Sequence, residues 1–247
     1  MTEGISKEFH LRIFQKPQTH LADNILVVEN SEHLQISKLW SREFIGYGEL
    51  NQQPTLVLTE DPGYWKTSVS KTLKKNNVDY ALDHSKYIKD PINVEIFDLK
   101  ELEKENFIDL AIEAIVDYHD NKLENPEDNR LIRIFTDSAK LLDARFFHNM
   151  KVYGRKTNIS FFMSVDLCQK VEAIRRFFMY FDKVFELSEV DSNIPNTIGV
   201  AKVHRSEEID SFTPGEVWGL ANDKALFWGL EKHHNLVFRD IDVTDVL

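Results

Sequence analysis

Apolar runs and helix-spaced apolar positions alternate along most of the chain. "PTLVLTE" (54–60), "INVEIFDL" (92–99), "LIRIFTD" (131–137), "ISFFMSVD" (159–166) and "KVFELSEV" (183–190) read as strands, with a shorter one at "DYAL" (79–82). Between them lie helical stretches: "KTSVSKTLKKN", a long segment from about Glu101 to Tyr118, "AKLLDARFFHNMKVYG" and "CQKVEAIRRFFMYF". Strands that alternate with helices need crossover connections, so the pattern predicts an α/β fold with a mostly parallel sheet flanked by helices. "PTLVL" and "ISFFMSV" are nearly continuous apolar runs, as central strands covered on both faces must be. Upstream, "FHLRIF" and "NILVVE" read as strands and "HLQISKLWSREF" as a helix. We divide the chain accordingly into a β-rich or mixed lead-in, 1–50, and an α/β domain, 51–247. Pro-Gly and Gly punctuation in "SFTPGEVWGLANDKALFWGL" predicts a C-terminal hairpin on the sheet.

Composition narrows the function classes. The chain has 247 residues, 42% of them hydrophobic, enough for a self-sufficient core. Its single cysteine, Cys168, excludes a disulfide framework and cysteine-rich zinc sites, and fits a reducing compartment such as the cytoplasm. No run approaches the ~20 apolar residues that span a bilayer, so no integral membrane segment is expected. A net charge of -11 works against broad contact with a phosphate backbone, so DNA would be met only locally or through a partner. The cations that cluster are Lys151, Arg155 and Lys156, followed by Lys170, Arg175 and Arg176. Of these, Arg155, Lys156, Arg175 and Arg176 are the candidates for an interface or DNA. His233-His234 lacks a third ligand, and neighbours on a strand face opposite ways, which argues against zinc. No G-x-S-x-G elbow is present.

The candidate chemistry lies in "LVLTEDPGYWKTSVSKTL" (56–73), a strand, a turn-rich stretch and a helix. A phosphate loop aims backbone N–H groups and a helix dipole at anionic oxygens, with a Lys on the terminal phosphates and a Ser or Thr on magnesium. Gly63, Lys66 and Thr67 supply a turn and those two side chains. The pattern G-x-x-x-x-G-K-[ST] laid on Lys66-Thr67, however, puts Glu60 and Trp65 at its glycines. The Trp65 indole would block the loop or fill its pocket, and Glu60 adds negative charge. "RLIRIFTDSAKLLD" is a strand ending in Asp137, which fits a magnesium-orienting carboxylate. Ser138 stands where a water-activating Glu is needed. An Asp that simply caps the following helix would look the same.

With "VYGRKTNISFFMSVD" added, the order of pieces from about 54 to 230 resembles the FtsK/HerA superfamily of RecA-like motor ATPases. That group includes HerA-type translocases, conjugation-system ATPases and viral DNA-packaging ATPases. "IRIFTDSAKLL" is similar to its Walker B strand, "INVEIFDLKEL" to a segment between the two Walker motifs, and "SFTPGEVWGL" to its C-terminal hairpin. The resemblance implies a P-loop fold in which Lys66, Thr67 and Asp137 are relics of an ATP and magnesium site, with Thr67 and Asp137 as the metal positions. Asp166 replaces the polar sensor, and Arg155 matches a basic turn near a subunit interface. Glu60, Trp65, Ser138 and Asp166 are departures at four chemically necessary positions. They imply no catalytic residues, no bound cofactor, and a structural or regulatory subunit that joins ATPase-like subunits in a homo- or hetero-oligomer, in DNA translocation, conjugation or packaging. Two rivals stay open: an active ATPase with Asp166 or Glu60 as base, and an adaptor that binds nucleotide without turnover.

Overall fold

The computed structural model describes residues 23–30, 36–50, 53–67, 93–123, 130–166, 171–189, 199–206, 214–220 and 225–230. Nine strands form one sheet: β1 (Asn24–Glu29), β2 (Thr55–Thr59), β3 (Val94–Asp98), β4 (Ile132–Thr136), β5 (Ile159–Asp166), β6 (Lys183–Ser188), β7 (Gly199–Ser206), β8 (Glu216–Leu220) and β9 (Ala225–Leu230). Their order is β3-β2-β4-β5-β1-β6-β7-β8-β9. The first six of these pair in parallel, and β7 to β9 extend the sheet as an antiparallel meander. The expected C-terminal hairpin is β8–β9. Three α-helices are described at length: α1 (Ile36–Leu50), α2 (Phe107–Lys122) and α3 (Ala144–Thr157).

The division after residue 50 does not hold. β1 lies between β5 and β6, in register Leu26↔Met163 and Leu26↔Val184, and all six of its residues are buried. A run as apolar as "NILVV" has nowhere else to go: it needs cover on both faces, which only a central strand receives. The lead-in is therefore the middle of the domain. "FHLRIF" and "DYAL" fall outside the described residues.

Each face of the sheet carries its own core. On one, Trp40, Phe44 and Ile45 of α1 pack on Ile25, Val27, Val57, Phe135 and Phe162, joined by Trp65. On the other, Ala111 and Ile115 of α2 and Phe146, Phe147 and Met150 of α3 pack on Leu26, Val28, Leu56, Ile134 and Phe161. The chain thus runs outward from β1 to β2 beneath one face and returns from β3 through β4 and β5 to β6 beneath the other, as right-handed crossovers require. Gly48 is needed where α1 crosses β2 and β4, since a Cβ there would lie 2.6 Å from Thr55 Oγ1 and 2.7 Å from Arg133 Cδ.

Local chemistry refines two predicted helices. Asp143 caps α3 through the N–H groups of Arg145 (2.8 Å) and Phe146 (3.4 Å), so the helix starts there and 139–141 is a separate 3-10 turn. "CQKVEAIRRFFMYF" keeps its helical spacing of buried Ile174, Phe177, Phe178 and Phe181, but through 3-10 turns at Val171–Ala173 and Arg175–Tyr180. Phe177 N–H donates to the Ile174 carbonyl at 2.8 Å, three residues back.

Candidate functional site

In an open parallel sheet, ligands settle at the carboxyl ends of adjacent strands whose outgoing connections leave toward opposite faces. Besides the β2/β3 pair, two such places carry the residues at issue. One lies between β2, which exits toward Trp65, and β4, which exits toward α3. The other lies between β1, which exits toward α1, and β5, whose exit leads to the 3-10 segments packed on the opposite face.

The β2/β4 place holds most of the residues expected from the sequence, and they are joined to each other. β2 ends at Thr59 and a helical turn begins at Pro62, leaving only Glu60 and Asp61 between them. Asp61 caps that turn, accepting from Tyr64 N–H at 3.1 Å, with Pro62 at the first helical position. Two residues are too few to wrap a phosphate. Gly63 is helical, and a Cβ added to it would meet only Asp61 Oδ1 at 3.8 Å, an ordinary contact. Residues 60–65 therefore do not form the cradle that the sequence pattern led us to look for. Lys66 and Thr67 are exposed.

Trp65 turns inward instead. Its side chain is buried, packs edge-on against Phe135 (4.7 Å between centroids) and donates Nε1–H to Asp137 Oδ2 at 2.7 Å. Asp137 also accepts from the Thr59 hydroxyl. Asp137 Oδ2 is thus engaged by the indole, while Thr67 is exposed. Burial pushes the Asp137 carboxyl above its ordinary range, outweighing these two hydrogen bonds. Beside it, Ser138 Oγ donates to Glu60 Oε1 at 2.7 Å, and Lys140 Nζ lies 2.5 Å from Glu60 Oε2. The Lys140 ammonium holds the Glu60 carboxyl below its ordinary range. Glu60 and Ser138 fasten the two loops together.

At β1 the arrangement differs. Between Glu29 and Ile36 lie residues 30 to 35, the six-residue length of G-x-x-x-x-G, followed by Ile36 where that motif has Lys and Ser37 where it has Ser or Thr. Glu29 is buried, and its Oε2 accepts from Ser37 N–H at 3.2 Å and from the Ser37 hydroxyl. The chain's own carboxylate thus sits at the N-terminus of α1, where such a fold would hold a phosphate oxygen. Asp166, at the end of β5, stands opposite Glu29 in register. Sequence reading missed Glu29 and Ser37. Their signal was the loop length after a fully apolar strand.

The four candidate cations lie away from both places. α3 begins beside the end of β4 and runs back to the start of β5, which carries Arg155 and Lys156 to the amino edge of the sheet. Arg175 and Arg176 precede β6 at the same edge; both are exposed, and the Arg176 guanidinium stacks 4.7 Å from the centroid of Phe177. Among the described residues no group of three or more His, Cys, Asp or Glu side chains is arranged to hold a metal ion. No helix of the described residues is long and apolar enough to cross a membrane.

No protein-family model matches the chain, and no curated protein does. Among solved structures it is similar to a KaiC-like protein from the hyperthermophilic archaeon Pyrococcus horikoshii, with a TM-score of 0.53 at 13% identity, over 84% of this chain and 91% of that one. The similarity is one of architecture: an α/β fold of RecA-like type, with a mostly parallel sheet between helices.

Proposed function

We propose that this chain is a RecA-like domain without nucleotide turnover, which serves as a structural or regulatory subunit of a larger assembly. The observation that carries this reading is the Glu29 carboxylate on Ser37 at the start of α1. That position, at the end of a central strand and the head of the following helix, is where a phosphate would dock, and a buried carboxyl already fixed on Ser37 occupies it. The loop before it keeps its length while lacking both glycines and the lysine. At the second place, Asp137 is engaged by Trp65, and Ser138 has no carboxylate with which to activate water. ATP and magnesium fit neither place as the side chains stand. The FtsK/HerA resemblance makes DNA translocation, conjugation or packaging the setting, with Arg155, Lys156, Arg175 and Arg176 as contacts to a neighbouring subunit or DNA.

The test combines titration of a fluorescent ATP analogue with a phosphate-release assay on the full chain. Neither signal is expected. Phosphate release that Ser37→Ala or Lys66→Ala abolishes would overturn the reading and reveal which of the two places holds nucleotide. Binding without release would favour the adaptor.

A further inference from the structure

The face of the sheet covered by α2 and α3 sorts its surface charge into two strips. α2 shows Asp109, Glu113 and Asp117 to solvent at spacings of four, a row of like charges that repel one another along the helix. Across α3 and the 3-10 helix 175–180, the exposed cations are Arg145, which lies 3.6 Å from Asp109 and 3.7 Å from Asp143, and Lys156, Arg175 and Arg176, for which no ion pair to a described carboxylate is seen. Two large apolar side chains are exposed among the described residues, and both belong to this second strip: Val152 at 44% and Met179 at 62%. Lys151 Nζ donates to the Met179 carbonyl at 3.1 Å and so ties the 3-10 helix to α3 one residue before Val152. In a 3-10 turn residues three apart eclipse, so Arg176 and Met179 share a face. The strips themselves run alongside. α2 and α3 are parallel neighbours, joined near their starts by Arg145 and Asp109 (3.6 Å) and near their ends by the rings of His119 and Tyr153 (5.5 Å).

We propose that this face is a self-complementary dimer interface, occupied by a second copy of the same chain. A two-fold contact requires one patch that carries both halves of every interaction, and adjacent strips of opposite sign supply that. An axis lying along the groove between α2 and α3 sets the acidic strip of each copy over the basic strip of the other and covers Val152 and Met179. Other occupants account for less. An unrelated acidic protein would use only the basic strip, leaving Glu113 and Asp117 of the α2 row unanswered, and a nucleic acid would be repelled by that row one helix away. The inference deepens the subunit role proposed above and is independent of whether nucleotide binds.

The experiment is sedimentation equilibrium on the full chain at micromolar concentration, with two charge-reversed variants. Wild type is expected at twice the chain mass. Glu113→Lys/Asp117→Lys and Lys156→Glu/Arg176→Glu should each weaken dimerisation at least about tenfold. An equimolar mixture of the two should recover the dimer, since both opposed pairs regain opposite signs. Thermal melts establish that each variant folds, and Met179→Asp provides a second route to the same loss. A monomeric wild type, a dimer that neither variant weakens, or a mixture that stays monomeric would overturn the proposal, while leaving the nucleotide result where it stands.

Discussion

The β2/β4 and β1/β5 places at the carboxyl edge of this sheet are closed by different means. Between β2 and β4 the closure is made of bulk: a buried indole wedged against Phe135, with hydrogen bonds running from loop to loop. At β1 it is made of charge: one carboxylate, supplied by the last residue of the strand, caps the helix that follows. The first involves residues 60 to 140, distant in sequence, and belongs to the hydrophobic core. The second spans eight residues and leaves the loop length intact. A site filled by core packing is lost to its fold, whereas at β1 the head of α1 is covered by a single side chain. On the proposed reading, β1 rather than β2/β4 is where an anion would find room once that side chain is removed.

The largest expected effect is at Trp65. Trp65→Ala should cost about 3–5 kcal/mol by urea denaturation, as truncation of a buried aromatic does. Trp65→Phe, which keeps most of the apolar area but removes the N–H from Asp137, should cost about 1–3 kcal/mol, the penalty for a buried acceptor deprived of its donor. A Trp65→Ala loss below about 1 kcal/mol would mean that the indole is not a core element and that the β2/β4 place can open.

Glu29 should show the opposite balance, with a small cost and a gain of binding. Glu29→Gly removes a helix cap, for which about 0.5–2 kcal/mol is typical. It also vacates the position of an anion at the head of α1, so pyrophosphate binding should become measurable by calorimetry in the variant and remain absent in wild type. No gain in a folded variant would sink the view of β1 as the latent site.

These two regions also mark what the sequence allowed to be read. β2, β4 and β5 were legible because continuous apolar runs bounded by turns have one stable home, a covered parallel strand. An inward-packed Trp65 was legible too, since an indole at a turn has little else to do. The phosphate position was not. The Lys66-Thr67 pair drew attention to β2 through side-chain identity, but a site in this fold is set by strand order, which is a long-range property. β1 becomes central only through contacts such as that of Asn24 N–H with Asp182 Oδ2 at 2.8 Å, 158 residues on. Glu29, the last residue of β1 and one position ahead of the first glycine of a phosphate loop, offers nothing to a motif search.

The smallest effects sharpen the picture within the β2/β4 place, where two neighbouring carboxyls are shifted in opposite directions. Asp137 is raised in the fold by burial, so folding shifts its balance toward the protonated form. Its contribution to stability is therefore complete below the unfolded value, about 3.9, and is lost as pH rises through the higher folded value. Asp137→Asn keeps an oxygen for the indole and never ionises. It should be at least as stable as wild type near neutrality, with an advantage that shrinks toward acid. Glu60 is lowered, first by the Lys140 ammonium, so its contribution is present above the unfolded value, about 4.3, and is lost as pH falls through the lower folded value. Because Lys140 is 58% exposed and Glu60 33%, that contribution is of the surface-pair kind, about 0.2–1 kcal/mol. Glu60→Gln should consequently destabilise by this amount at neutrality and by nothing in acid. Urea midpoints of the two variants against wild type, taken from neutral to acid pH, should change in opposite directions. Parallel changes would mean that Glu60 and Asp137 respond as one exposed acidic pair, and that the loops of β2 and β4 are not fastened in the way their hydrogen bonds indicate.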